Sequence, residues 1–246
     1  MSGQERSRVE TERSELDIAS TLAIDALDAV RNGQSVDELL DRLAALPEDD
    51  LAPVRTNRPI GLAFWLNLYN AGAQHLLEER PDLFASRWRF FRAPAVTVAG
   101  VELSLDDIEH GLLRGGRSKY GLGYLPRIAR TGLRSDYRLA LDPRVHFALN
   151  CGAASCPAIR VYQPDRVDDQ LDQATATHLR ETVGEPPYGD RIHVPRFCLW
   201  YIGDFGGYGG LRSFVSEHID LPAGTTVSIR FAGHDWTKVP GQFSKE

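Results

Sequence analysis

Gly61–Leu77, GLAFWLNLYNAGAQHLL, is apolar on nearly every face. A surface helix shows one apolar stripe, whereas a helix apolar all round is enclosed by other apolar groups. The run is shorter than the roughly 20 residues needed to span a bilayer, so it predicts a helix buried inside the protein. Successive helical positions turn about 100°, which places Asn67, Asn70 and Gln74 on one narrow stripe with His75 to its side. Buried carboxamides need hydrogen-bond partners, so other segments must dock against this stripe.

On the N-terminal side, Val9, Leu16, Ile18, Leu22, Ile24, Leu27 and Val30 recur at helical spacing from Glu5 to about Arg31, and Ser35 caps a second helix to about Leu46. The two read as a helical hairpin lid. On the C-terminal side, APAVTVAGVELS reads as a hairpin turning at Ala99–Gly100, and Ser104 caps a helix, LDDIEHGLLR, that Gly115–Gly116 ends. The stretch from Arg117 to Tyr137 predicts an irregular loop with some helix. VHFALN predicts a buried strand, and Asp165 to Thr182 predicts a helix. A short strand at Ile192–Val194, helices over CLWYIGDF and GGLRSFVSEHI, and a closing strand TTVSIRFAG follow. Helices first and short strands later predict an α+β fold, helix-rich, with a small mostly antiparallel sheet packed against the buried central helix. Residues 1–54 are expected to form a helical extension packing on a main domain at 55–246.

The chain has 246 residues, 42% of them hydrophobic, which suffices for a sizeable core without disulfides. Its net charge of −6 argues against general attraction to nucleic acid or an anionic membrane. No apolar stretch reaches the length of a membrane span, and MSGQERSRVETERSE holds no apolar signal core, so a cytoplasmic location is expected. In that compartment Cys151, Cys156 and Cys198 would stay reduced.

The chemistry-bearing stretch is Arg144–Pro157, RVHFALNCGAASCP. Proline favours the first helical position, so Cys156 before Pro157 reads as a helix N-cap whose thiol pKa the helix start lowers. His146, ten residues earlier, is the natural general base for such a thiolate. A third group would orient the imidazole, and Asn67, Asn70, Asp142 and Glu109 all qualify. As a strand, the stretch would put His146 on one face with Ala148 and Asn150. Glu109 and His110 are adjacent on their helix and point about 100° apart, so one of them is expected to face the site. Zinc ligands are available in His110, His146, Cys151, Cys156 and His193, but their spacings follow no standard pattern and a metal site ranks below a thiol site. Phe197, Trp200, Tyr201, Phe205 and Tyr208 read as core aromatics, Asp204 as a cap for the turn after them, and neither Asp204 nor Asp235 is assigned a catalytic role.

Four ordered motifs, FWLNLYNA at 64–71, LSLDDIEHGLLR at 103–114, DPRVHFALNCGAASCPAIRVY at 142–162 and LWYIGDFG at 199–206, resemble the family catalogued as domain of unknown function 547. The resemblance covers roughly residues 60 to 236. It implies a shared fold and a shared polar set, here Asn67, Asn70, Glu109, His110, Arg114, His146, Cys151 and Cys156, and it implies no activity. In relatives with export signals the cysteine pair would be open to oxidation. Where the family tends to have Tyr-Asp-Trp, this chain has His234-Asp235-Trp236.

Two function classes stay open at this level, with a zinc-binding site as a weaker third. One is a hydrolase or acyltransferase acting on an amide or thioester, with Cys156 and His146 catalytic, Asn67, Asn70 and Glu109 assisting, and His110, Arg114 and Cys151 binding substrate. The other is a non-catalytic binding or scaffolding domain built on a buried polar network. No cofactor and no metal ligand are assigned. The expected partner is a small-molecule or peptide substrate, with no nucleic acid and no membrane.

Overall fold

Helix α1 (Ile18–Arg31) opens the computed structural model, which describes residues 17–128, 133, 135–184, 191–219 and 228–245. Asp17 caps it, its side chain accepting from the Ser20 N–H at 2.9 Å. The predicted start of this helix at Glu5, with Val9 and Leu16, lies outside the described residues. Helix α2 (Asp37–Ala44) follows, with the Ser35 hydroxyl accepting from the Asp37 N–H. A short α3 (Ala52–Thr56) leads into α4 (Arg58–Glu79), the predicted central helix. Proline at the start of α4 and an Asn57 side chain accepting from the Ile60 N–H fix where it begins.

Every residue of α4 from Gly61 to Gln74 is buried, and Trp65, Phe64, Leu66 and Leu68 are fully enclosed. The enclosing surface includes α1, whose Ala19, Leu22, Ala23, Ala26 and Leu27 are themselves buried in the same core cluster. The N-terminal helices therefore form core wall, and the lid reading is overturned. Burial of this apolar surface, at about 25 cal/mol per Å2, holds α1 in place.

After α5 (Arg87–Arg92), the predicted hairpin forms as β1 (Pro94–Val98) and β2 (Val101–Ser104), antiparallel, turning through Ala99 and Gly100 at φ 47° and 75°. It packs on α2 and α4. Next come α6 (Val167–Val183), β3 (Arg191–Val194), α7 (Phe197–Trp200), α8 (Gly207–His218) and β4 (Ser228–Phe231). Strands β3 and β4 pair in parallel as a second two-stranded sheet. The fold is α+β and helix-rich, as predicted. Among the described residues no helix is long and apolar enough to cross a membrane.

Two local predictions fail, both in the stretch that carries the chemistry. VHFALN is no strand: Pro143–Phe147 is a 3-10 helix, and residues 148–160 are irregular. A short apolar run cannot distinguish a strand from a buried helical turn. The deciding signal was Asp142-Pro143, in which the aspartate accepts from the Arg144 N–H at 3.0 Å and the proline presets the helical φ. Likewise, no helix starts at Pro157, so Cys156 is not an N-cap.

Candidate functional site

The asparagine stripe of α4 holds the irregular 148–162 segment. Asn67 donates to the Tyr162 carbonyl at 2.8 Å and accepts from the Tyr162 N–H at 2.9 Å. Asn70 donates to the Ala148 carbonyl and accepts from the Asn150 N–H, each at 2.9 Å. Each carboxamide thus pairs with backbone as a neighbouring strand would, which satisfies groups that an irregular buried chain would leave orphaned. Gln74 accepts from the Gly241 N–H at 2.8 Å, tying in the C-terminal segment. Replacing Asn67 with alanine is expected to lower the unfolding free energy by about 1–3 kcal/mol, because two buried backbone groups of Tyr162 lose their partners. Urea denaturation reads this directly, and a parent-like midpoint would show that Tyr162 finds other partners.

Asn150, fully buried, passes the constraint to the cysteines. Its side chain accepts from the Gly152 N–H at 2.7 Å and donates to the Pro157 carbonyl at 2.8 Å. The resulting loop brings the sulfurs of Cys151 and Cys156 to 3.2 Å, a thiol contact and not a disulfide. Gly152 makes the turn possible: its φ is +86°, and a Cβ there would meet Leu77 Cδ1 at 2.2 Å. The Cys156 pKa is lowered in spite of burial, first by the Cys151 thiol against its sulfur and then by the loop backbone at Cys151 and Ala153. The Cys151 thiol is pushed well above its ordinary value by sharing its proton with Cys156 and by burial. Of the two thiols, Cys156 is the one whose pKa is lowered. Loop amides do what the predicted helix start was expected to do.

Asp107–Leu113 forms a π-helix, entered through the Ser104 cap: the Ser104 hydroxyl accepts from the Asp107 N–H, and the Asp107 carboxylate accepts from the Ser104 N–H at 3.1 Å. Its i→i+5 bonding gives a wider turn than an α-helix. Asp106, Glu109 and His110 accordingly line one cavity together, and the expectation that only one of Glu109 and His110 would face the site is corrected. Burial raises Glu109 to about 7, against the pull of Arg114. Burial, reinforced by Arg114, Lys119 and Arg127, holds His110 well below its ordinary value. Arg114 can only donate, so the 2.7 Å contact from its Nη1 makes His110 Nδ1 the acceptor of a neutral ring.

Asp204 is the residue that the sequence reading set aside. Its side chain is fully buried and receives Arg114 Nε at 2.6 Å, Arg114 Nη2 at 3.1 Å and His146 Nε2 at 2.9 Å. Burial alone would raise its pKa, but the His146 and Arg114 hydrogen bonds bring it below the usual carboxylate range. An ionised Asp204 accepts, so His146 carries its proton on Nε2 and presents a lone pair at Nδ1. Burial, opposed by Asp204 and aided by Arg114, lowers the His146 pKa and keeps the ring neutral. Tyr201 completes the packing, stacked on His146 at 4.6 Å and beneath the Arg114 guanidinium at 4.0 Å. Gly123, at φ +83°, lets a loop close on Asp204, since a Cβ there would sit 2.6 Å from Oδ1.

These groups meet in one cavity of about 630 Å3, lined by Tyr69, Glu109, His110, His146, Cys151 and Cys156 at its buried end. Trp88, Tyr120 and Leu122 stand at its mouth, and Phe91, Trp200 and Trp236 line it as well. Asn67, Asn70 and Arg114 do not line it: the asparagines hold the loop, and Arg114 holds Asp204 and His110. Asp142 pairs with Arg58 and Arg144 and is not the partner of His146. Among the described residues no three His, Cys, Asp or Glu side chains are grouped to hold a metal ion.

The family model that matches this chain, described as "Protein of unknown function, DUF547", covers residues 54–179, just over half of the sequence. The chain belongs to this family. No curated protein and no solved structure matches it. Within the DUF547 match lie the asparagine stripe, the π-helix, His146 and both pocket cysteines. Asp204 and Tyr201 lie beyond it. The signal for Asp204 was already present in LWYIGDFG, the fourth motif of the resemblance, where an acid sits among aromatic residues that bury it.

The raised pKa of Glu109 carries a pH dependence. Below about 4.5 the group is protonated whether folded or not. Between about 4.5 and about 7 the unfolded chain gives up the proton and the folded chain keeps it, so stability falls as pH rises across that window. Comparison with Glu109→Gln isolates the effect. The stability of the parent relative to this variant is expected to drop by roughly 3 kcal/mol between pH 4.5 and 7.5, at 1.36 kcal/mol per pKa unit. A constant difference across that range would place Glu109 in a less buried setting.

Proposed function

We propose that this protein is a thiol-dependent hydrolase or acyltransferase acting on an amide or thioester, with Cys156 as nucleophile. The observation that carries the reading is the Cys156 sulfur: it stands 3.2 Å from that of Cys151, it lines the same cavity as His146 and Glu109, and its pKa lies below the ordinary thiol value. A thiol with a lowered pKa in a cavity with a candidate general base is the minimum for nucleophilic thiol chemistry.

In the proposed reaction the Cys156 sulfur bonds to the substrate carbonyl carbon. The bond from that carbon to nitrogen or sulfur breaks, and the leaving group takes a proton. Glu109, which titrates near neutrality, is suited to supply it. The thioester so formed is attacked by water or an acceptor, His146 Nδ1 takes the attacking proton, the Cys156 thiolate leaves, and transfer of that proton from His146 to Glu109 returns every group to its starting state. Asp204 is a positioning residue that fixes the His146 tautomer. Asn67 and Asn70 act through the loop they hold, which is the part of the scaffolding reading that the geometry favours. The test is an acyl adduct on Cys156, sought by intact-mass spectrometry after mixing with an activated acyl thioester. An adduct absent from Cys156→Ala supports the reading, and equal labelling of that variant overturns it.

A further inference from the structure

A second cavity, of about 430 Å3, shares Cys156 and His234 with the first. Its chemistry is different. The first cavity opens through Trp88, Tyr120 and Leu122, which are 61%, 62% and 48% exposed, a concentration of bare apolar side chains at one mouth. Ser155, His178, Glu181, Thr182 and Arg196 line the second.

Two nitrogens at the second cavity lack partners. His178 Nδ1 and His234 Nε2 are both buried, and neither makes a hydrogen bond. His178 is only 9% exposed, and its nearest carboxylate, on Glu181, stands 3.6 Å from Nδ1, beyond a good hydrogen bond. Leaving such an atom unsatisfied is costly, and a ligand that completes it recovers that cost. An amide or hydroxyl, which both donates and accepts, satisfies an imidazole nitrogen in either tautomer.

Resting on the acyl-transfer reading above, we infer that Cys156 stands between two unlike subsites and that the substrate is an apolar acyl group joined to a polar, hydrogen-bonding group. The acyl part occupies the aromatic cavity. The polar part occupies the His178 cavity with its scissile atom at Cys156, which lines both cavities, and it is the half released when the sulfur–carbon bond forms. Trp88 and His178 are the specificity-determining residues.

Binding to the full-length Cys156→Ser variant separates this inference from the chemistry. The probes are N-decanoylglycinamide and N-acetylglycinamide, read by calorimetry. The decanoyl compound is expected to bind at least about tenfold more tightly, and Trp88→Ala to erase most of that ratio. Thr182→Phe, which fills the polar cavity from a half-buried wall position, is expected to weaken both probes about equally and to leave the ratio intact. His178→Gln serves as the second polar-side variant should the first fail to fold. Equal affinity for the two probes, or unchanged affinity when the polar cavity is filled, overturns the two-subsite inference. Tight, chain-length-dependent binding without any acyl adduct on the parent protein overturns the reaction reading and leaves the subsites standing. An adduct that forms equally fast from decanoyl and acetyl donors does the reverse.

Discussion

Arg114→Met is expected to lower the unfolding free energy by about 3–5 kcal/mol, the cost of leaving one member of a buried ion pair without its partner. The Arg114 side chain is fully buried, and so is that of Asp204. The guanidinium makes two hydrogen bonds to that carboxylate, a third to His110, and stacks over Tyr201. Methionine fills much of the volume and supplies none of the donors. Asp204 would keep His146 and a longer ion pair, at 3.7 Å, to the half-exposed Arg117 guanidinium. The double variant Arg114→Met, Asp204→Asn is expected to be less destabilised than the sum of its single variants, because it removes the unpaired charge along with its partner. Urea denaturation of the four proteins measures the coupling. Strict additivity, or a loss below about 1 kcal/mol for Arg114→Met, would mean that the pair is not the anchor of the His146 side of the cavity.

The second large effect concerns the thiols. At pH 7.5, iodoacetamide is expected to modify Cys156 about a hundredfold faster than Cys151 or Cys198, since the thiolate is the reacting form. Cys151 is raised by sharing its proton with Cys156, and Cys198, fully buried, is raised by burial alone. Peptide mapping of the labelled protein gives the ratio. The pH dependence identifies the cause. In Cys151→Ala the thiol donor to Cys156 is gone, so the half-maximal pH of Cys156 labelling is expected to move upward while labelling itself persists. No movement would assign the activation to the backbone N–H groups alone. Labelling of Cys151 in preference to Cys156 would reverse the roles of the pair and with it the proposed nucleophile.

The reading of residues 61–77 as a buried helix, the hairpin at 94–104 and the Ser104 cap required only local information, and the structure carries all three. Periodicity works for such elements because a helix or hairpin declares its environment within a few turns of its own chain. It failed at 144–157 because a short apolar run has no period to measure, and because Pro157 looks the same whether it opens a helix or a loop. The pairing of His146 with Asp204 spans 58 residues in sequence, and nothing near either residue indicates it. The same holds for the two sides of the cavity. Glu109 reaches it because a π-turn replaces an α-turn.

Residue types and spacing alone were enough to establish the central helix, the need for its carboxamides to find partners, the α+β class and the short roster of candidate groups. Tertiary structure alone decided which of those groups face one another. It assigned the asparagines to backbone docking, Arg114 to a buried ion pair, Asp204 to His146, and Cys156 to a thiol contact with Cys151. The reason is physical: hydrogen-bond capacity and charge are properties of a side chain, whereas which partner satisfies them is set when distant segments are buried together.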